Sequence, residues 1–428
     1  MTDEQQQPGN PHHASRRGFL GAAAAGAGVL VAGGAVGYGV GRASADTPNE
    51  SGPASANVSI PFYGPRQAGI STPAQDRLAF AAFDVTTTDV LKLQAMLGTW
   101  AAAASRMVLG ELIGPTETAP QAPPVDTGEA LGLGPAKLTI TVGFGPSLFD
   151  GRFGLAGKRP AALADIPGFR GDQINPDISN GDICVQACSD DPQVAFHVIR
   201  NFARLARGAA VIRWSQLGFG RTSSTSTSQQ TPRNLMGFKD GTNNIKAEDE
   251  AEMNSFVWVG DETDQSWMKG GSYVVSRRIR MLIETWDSDY IADQESIFGR
   301  TKDSGAPLTG KDEFDKVDLA AKDSKGDPVI AADSHIRLAA PATNGGLKIL
   351  RRGYSYTDGI DQQSGLLDAG LFFLAYQRDP RKQFVPIQRR LGQSDGLNEY
   401  IRHTSSGVFA VPPGLSGPGD WFGKALFQ

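Results

Sequence analysis

Two cysteines in 428 residues leave no material for a disulfide framework. Cys184 and Cys188 stand four apart in an apolar stretch that reads as a strand. At about 3.3 Å per residue their α-carbons lie roughly 13 Å apart, beyond the ~7 Å a disulfide tolerates. They are expected as free buried thiols, and with no Cys or His cluster nearby a metal pair is not expected. Excess basic charge is also missing. The formal net charge is −5, and no basic cluster or aromatic–basic stripe appears, which argues against nucleic acid as a partner. Histidine is scarce too, and beyond residue 45 only His197, His335 and His403 remain. Core material is plentiful: 40% of residues are hydrophobic against 20% charged, the balance of a soluble globular chain. The length suggests two or more domains.

At the N-terminus, Ser15-Arg16-Arg17-Gly18-Phe19-Leu20 precedes a weakly apolar Gly/Ala/Val run over residues 21–41. Arg42-Ala43-Ser44-Ala45 then offers a small-x-small cleavage site before Asp46. The paired arginines with Phe and Leu after them resemble a twin-arginine export signal. The resemblance implies the twin-arginine export machinery as a partner and an extracellular, periplasmic or envelope-associated protein, exported folded with its cofactor in place. The alternative is an uncleaved anchor, since the run is about long enough to span a membrane, but so many glycines make a poor membrane helix.

The expected organisation is a signal over residues 1–45, a flexible polar tether over 46–60, a first unit over 61–221, an exposed Ser/Thr linker over 222–232 and a second unit over 233–428. In the first unit, residues 78–85 form a continuous apolar run of strand length. Thr86, Thr87 and Thr88 can cap a helix in which Val90, Leu93, Leu97, Trp100, Ala104 and Met107 recur at helical spacing. Leu138, Ile140, Val142 and Phe144 alternate as a half-buried strand should. Residues 182–188 read as a strand, Asp191-Pro192 starts a helix, and residues 209–217 close the series. Strand, helix, strand, strand, helix, strand is the ferredoxin-like order.

The second unit repeats one device. Asp191-Pro192 is followed by Phe196 and Ile199, and Asp379-Pro380 by Phe384 and Ile387. The shared spacing predicts an α+β protein of two tandem ferredoxin-like units, with Pro386 kinking the second helix. Further strands are expected over 272–285, 371–376 and 407–411. Residues 300–333 form a long patternless loop, of the kind that is often functional.

The stretch TPRNLMGFKDGTNNI at residues 231–245 sets Asp240 between Gly237 and Gly241, where glycines permit a sharp turn or close approach to a flat ligand. Taken by itself it reads as an ordinary turn, but NLMGFKDGTNN resembles the GxxDG signature of dye-decolourising (DyP-type) peroxidases, haem enzymes that use hydrogen peroxide. The resemblance extends to His335-Ile336-Arg337-Leu338, about 95 residues on, and covers nearly the whole chain beyond the signal. It implies one haem b per chain, held mainly by the second unit, with His335 as the iron ligand. Arg337 then suits a haem propionate, and Gly241, Thr242 and Asn243 lie against the cofactor.

By matching, Arg351 takes the place over the distal face, with the adjacent Arg352 as fallback. Leu371 and Phe373, on one face of a strand, match an apolar pair over the pocket or are plain core. Asp395, with Glu399 close by, matches the acid that receives the ligand histidine's other N–H. His197 and His403 stand in polar settings and are expected at the surface.

The resemblance implies a peroxidase working through a ferryl intermediate. Asp240 would shuttle the proton, Arg351 would stabilise the departing charge, Asn244 would position peroxide or water, and an unknown organic or protein donor would supply electrons. Export-signal relatives imply an alternative, a deferrochelatase releasing iron from haem. A haem carrier without catalysis is a third reading, against which the Asp/Arg pair argues.

Overall fold

Runs of branched and aromatic residues, interrupted by two amphipathic helical stretches, build the first half. In the computed structural model, which describes residues 56–115 and 117–428, it runs β1 (Arg77–Val85), α1 (Val90–Met107), β2 (Thr139–Phe144), β3 (Ile183–Ser189), α2 (Pro192–Leu205) and β4 (Ala210–Arg221). The segment expected to be a signal and the first part of the expected tether lie outside the described residues. The tether's end is docked rather than free, since Ala136 N donates to Ala56 O at 3.0 Å and Lys137 N to Val58 O at 2.7 Å. Helix α1 is capped by Asp89, whose carboxylate accepts from Leu91 N at 2.9 Å. The expected threonine caps stand outside it, Thr87 Oγ1 accepting from the Asp89 amide at 3.1 Å.

The second half runs α3 (Glu250–Phe256), β5 (Ser272–Met281), α4 (Ile283–Asp287), α5 (Ile291–Phe298), α6 (His335–Ala339), β6 (Leu350–Arg351), β7 (Tyr354–Ile360), β8 (Leu367–Gln377), α7 (Phe384–Ser394) and β9 (Ile401–Val411). Three expectations change here. The strand expected to residue 285 ends at Met281, because Trp286 turns inward on α4 and is fully buried. Strand β9 begins six residues before the expected 407, its polar start paired with β5 from Met281↔Ile401 to Arg277↔Ser406. Pro386 is the third residue of α7, in the first turn, where its missing N–H has no helical acceptor to lose and no kink is required.

The first half's strands lie in the order β2-β3-β1-β4 and the second half's in the order β9-β5-β8-β7, which is the same arrangement twice. The two sheets meet through β4–β7 and β2–β9 and close into one eight-stranded antiparallel barrel, with β6 a short ninth strand on β8. Where the first half has a single helix, the second inserts α4, α5, residues 300–333 and α6 between β5 and β6.

Closure explains why β2 is not half-buried. One face packs under the outer helices and the other looks into the barrel, so Thr139 and Thr141 are as enclosed as Ile140 and Val142. The interior holds Phe80, Trp214, Tyr354, Phe372, Tyr376 and Phe409, together with the two free cysteines. Among the described residues no helix is long and apolar enough to cross a membrane.

The Ser/Thr run is the largest departure from expectation. Thr222, Ser223, Ser224, Thr225 and Ser226 are buried instead of forming an exposed linker. Their hydroxyls and carbonyls find partners at long range. Thr225 Oγ1 donates to Thr72 O at 2.7 Å, and Ser223 Oγ to Arg351 O at 2.9 Å.

Candidate active site

Two glycines shape the loop that carries Asp240. Gly237 and Gly241 have φ of +83° and +90°, conformations that side chains with a Cβ adopt at a cost. A Cβ on Gly241 would stand 2.9 Å from Ser223 Cα, so the loop lies directly on the buried Ser/Thr run. Between the glycines, Phe238 stacks on Phe298 of α5 with centroids 4.1 Å apart. Asp240 Oδ1 receives Arg351 Nη1 at 2.5 Å, and its Oδ2 receives Asn234 Nδ2 at 3.3 Å.

Strand register selects the arginine. Arg351 opposes Ala375 and Tyr354 opposes Phe372, so β6 and β7 run along β8 in one continuous phase. Alternation then puts Arg351 on the outer face with Leu371 and Phe373. Arg352 goes to the barrel interior, fully buried, where it binds Thr72 O and Gln75 Oε1. The fallback assignment is thereby removed. Leu371 and Phe373 stay half-buried while their neighbours Phe372 and Leu374 are enclosed, and Phe373 contacts Phe384 of α7.

His335 opens α6, below Phe298, with centroids 6.1 Å apart. Its Nδ1 lies 2.6 Å from Asp395 Oδ2, and Asp395 Oδ1 accepts from Leu397 N at 2.9 Å. With the carboxylate receiving the Nδ1 proton, Nε2 keeps its lone pair for a metal. The imidazole is 35% exposed while the Asp395 side chain is 3% exposed, so the partner is buried and the ring is reachable. Burial would lower the imidazole's affinity for a proton. The charge and hydrogen bond of Asp395 outweigh it and raise the pKa, with Asp240 adding to the rise and Arg351 opposing it. Glu399, the neighbouring candidate, is exposed.

Other expected residues are placed differently. Asn244 Nδ2 donates to Ser224 O at 3.1 Å and to Arg351 O at 2.8 Å, while its Oδ1 accepts from Arg351 N at 2.8 Å. Its amide engages the backbone of Ser224 and Arg351 on both sides, so it fixes Arg351 against the Ser/Thr run. Arg337 Nη2 donates to Leu319 O at 2.9 Å and Ile330 O at 2.6 Å, and Nε to Ala331 O at 3.1 Å, tying the long loop to α6. Thr242 Oγ1 donates to Glu313 Oε1 at 3.0 Å, and Asn243 is exposed.

His197 is not at the surface. It is 3% exposed and lies 3.4 Å from both Asp126 and Glu129, carboxylates of the segment joining α1 to β2. His403 is 6% exposed on β9, and burial with the nearby Arg277 charge depresses its pKa to about 3. Both misplacements share a cause: polar neighbours in sequence do not predict which distant element covers a ring. Glu313 escaped the sequence reading entirely, since nothing distinguishes it among the acids and lysines of residues 300–333.

The chain thus presents a closed barrel of two ferredoxin-like halves, a carboxylate-backed histidine on α6 and a carboxylate–guanidinium pair whose arginine lies on β6. The family model for the N-terminal part of Dyp-type peroxidases matches residues 67–220, and that for the C-terminal part residues 231–416. The chain belongs to the Dyp-type peroxidase family and is an oxidoreductase. It is similar to the Escherichia coli K12 protein named deferrochelatase, 38% identical over 386 residues, 89% of this chain and 90% of that one. It also resembles a DyP-type peroxidase from Streptomyces coelicolor (TM-score 0.81, 40% identity, 90% of this chain, 100% of that one) and ferric DtpA from Streptomyces lividans (TM-score 0.80, 40% identity, 89% and 100%).

Proposed function

We propose that this protein is a haem-dependent peroxidase that reduces hydrogen peroxide and oxidises organic or other reductants, with one haem b held mainly by its second half. The observation that carries the reading is the Asp240–Arg351 contact of 2.5 Å, on the barrel face that also presents Leu371 and Phe373. The residues fit the cofactor. His335 offers Nε2 to an iron because Asp395 occupies Nδ1. Arg337 Nε and Nη2 hold backbone carbonyls, so only its Nη1 would be offered to a propionate, and Gly241, Thr242 and Asn243 would lie along the cofactor's edge.

When bound, haem supplies the iron that binds peroxide and holds the oxidising equivalents. Asp240 Oδ2, the oxygen not engaged by Arg351, takes the proton from the near oxygen of peroxide and returns it to the far one. Arg351 would stabilise the negative charge that develops on the far oxygen before the returned proton lets it leave as water. A guanidinium stays protonated, so its part is electrostatic.

Stopped-flow mixing of haem-loaded protein with peroxide tests this. Asp240→Asn should slow the peroxide-induced spectral change by about 10²- to 10⁴-fold, and Arg351→Leu by roughly 10²- to 10³-fold. A wild-type rate in Asp240→Asn removes Asp240 from the mechanism. The Escherichia coli relative's name motivates a second reading, release of iron from haem. Free protoporphyrin among the products supports it, whereas intact haem with peroxide turnover supports the first. We further assign residues 1–45 as a twin-arginine signal that sends the folded protein out of the cytoplasm, on the strength of Arg16-Arg17-Gly18-Phe19-Leu20.

A further inference from the structure

We propose that Glu313 is a positioning residue for Asp240, clamping the loop on both sides of the catalytic carboxylate from the distant span 300–333. The proposal rests on the reading that Asp240 moves the proton. The side chain of Glu313 is 9% exposed, and it pairs with Lys239 Nζ and accepts from Thr242 Oγ1 at 3.0 Å. Lys239 and Thr242 bracket Asp240-Gly241, so one carboxylate holds a side chain on each side of the reacting group.

The clamp is itself fixed. Arg300 Nη1 donates to Glu313 O at 2.9 Å and to Gly305 O at 2.6 Å. Gly305 lies so close to the Lys239 stem that an added Cβ would stand 2.7 Å from Lys239 Cδ. Further along the span, Arg233 Nη1 and Nη2 donate to Lys302 O and Asp303 O at 2.5 Å each. The far end is tied to α6 through Arg337 Nη2 and Leu319 O at 2.9 Å.

Burial alone would raise the Glu313 pKa. Hydrogen bonds from Lys239, Thr231 and Thr242 outweigh it and lower the value, which keeps the clamp charged at neutral pH. Without this contact the loop would keep Phe238 on Phe298 and its Asn244 bonds but lose its tie to residues 300–333, and its carboxylate would shift against Arg351. A misplacement of about 1 Å at a reacting group costs on the order of 10²-fold, so a partial loosening is expected to cost about 10- to 100-fold.

The test is a double-mutant cycle with a second, non-catalytic readout, all on haem-loaded protein. Glu313→Gln keeps the shape and removes the charge, and Lys239→Met breaks the same pair from the other side. Each should slow the peroxide step about 10- to 100-fold in the native background. In Asp240→Asn the same change should have less than about a 2-fold effect, because the two residues act as one unit. Amide exchange over residues 231–244 should rise roughly tenfold in both variants, with β3 exchanging as before. Equal losses in both backgrounds, or unaltered exchange over 231–244, would overturn the assignment. A wild-type rate in Asp240→Asn alone overturns the proton-transfer reading and this proposal together. A slow Asp240→Asn to which the Glu313 effect simply adds overturns only this one.

Discussion

His197, His335 and His403 are all enclosed to some degree, yet they face different partners. His335 alone combines a buried carboxylate at Nδ1 with a ring open at Nε2. His335→Ala should therefore abolish the native haem spectrum, read by optical absorption of purified protein. An unchanged spectrum there, with haem lost in a His197 or His403 variant, would move the ligand elsewhere. His403 is one contributor to acid stability, its burial and the Arg277 charge outweighing the Asp172 carboxylate 3.8 Å from Nδ1. Its folded pKa is about 3 against about 6.5 in an unfolded chain. From pH 6.5 downward the unfolded state takes up a proton that the folded state refuses, so stability is whole above pH 6.5 and is lost as pH falls toward 3. The slope is at most about 1.4 kcal/mol per pH unit. His403→Asn should flatten the acid side of the stability curve measured by urea unfolding between pH 7 and 4.5, and parallel curves would refute the assignment.

At the scale of elements, the loop carrying Asp240 shows how a turn becomes a site. Its positive φ at Gly241 and the contact with Ser223 Cα leave no room for a side chain, and the opposing atom belongs to backbone that cannot step aside. Gly241→Ala is expected to cost about 1–3 kcal/mol and to move the unfolding midpoint accordingly, while an unmoved midpoint would show that the loop lies less tightly on the Ser/Thr run. The same run explains why Asn244 is buried. It holds the Asp240 loop and the β6 arginine together through backbone groups, so that loop and strand keep one geometry.

At the scale of the whole molecule, neither ferredoxin-like half is complete alone. Strands β4 and β2 take β7 and β9 as neighbours, and the edges that two separate sheets would expose are paired away in the barrel. The proposed export segment would have to carry this barrel already folded, because its strand edges are paired only on closure. Replacing Arg16 and Arg17 with lysines should retain it in the cytoplasm, and mass spectrometry of exported native protein should find Asp46 at the mature N-terminus. Export unaffected by the double change, or a mature end far from Asp46, would count against the signal.

Much of this was legible in the chain. Alternation and helical spacing located the strands and helices of the first half within a few residues, because those patterns are local. The repeated Asp-Pro-x-x-x-Phe-x-x-Ile spacing pointed to two like halves, and the family resemblance nominated Asp240, His335, Arg351 and Asp395, which the fold joins as the pairs Asp240–Arg351 and His335–Asp395. Tertiary structure decided what local pattern cannot carry. Whether Arg351 or Arg352 faces the site depends on which residue of β8 each opposes, since a shift by one reverses every side chain. Burial of the Ser/Thr run, of His197 and of His403 depends on partners far along the chain. Glu313 acquires its place only where residues 300–333 fold back over Lys239 and Thr242, a contact between loops that share no pattern in sequence.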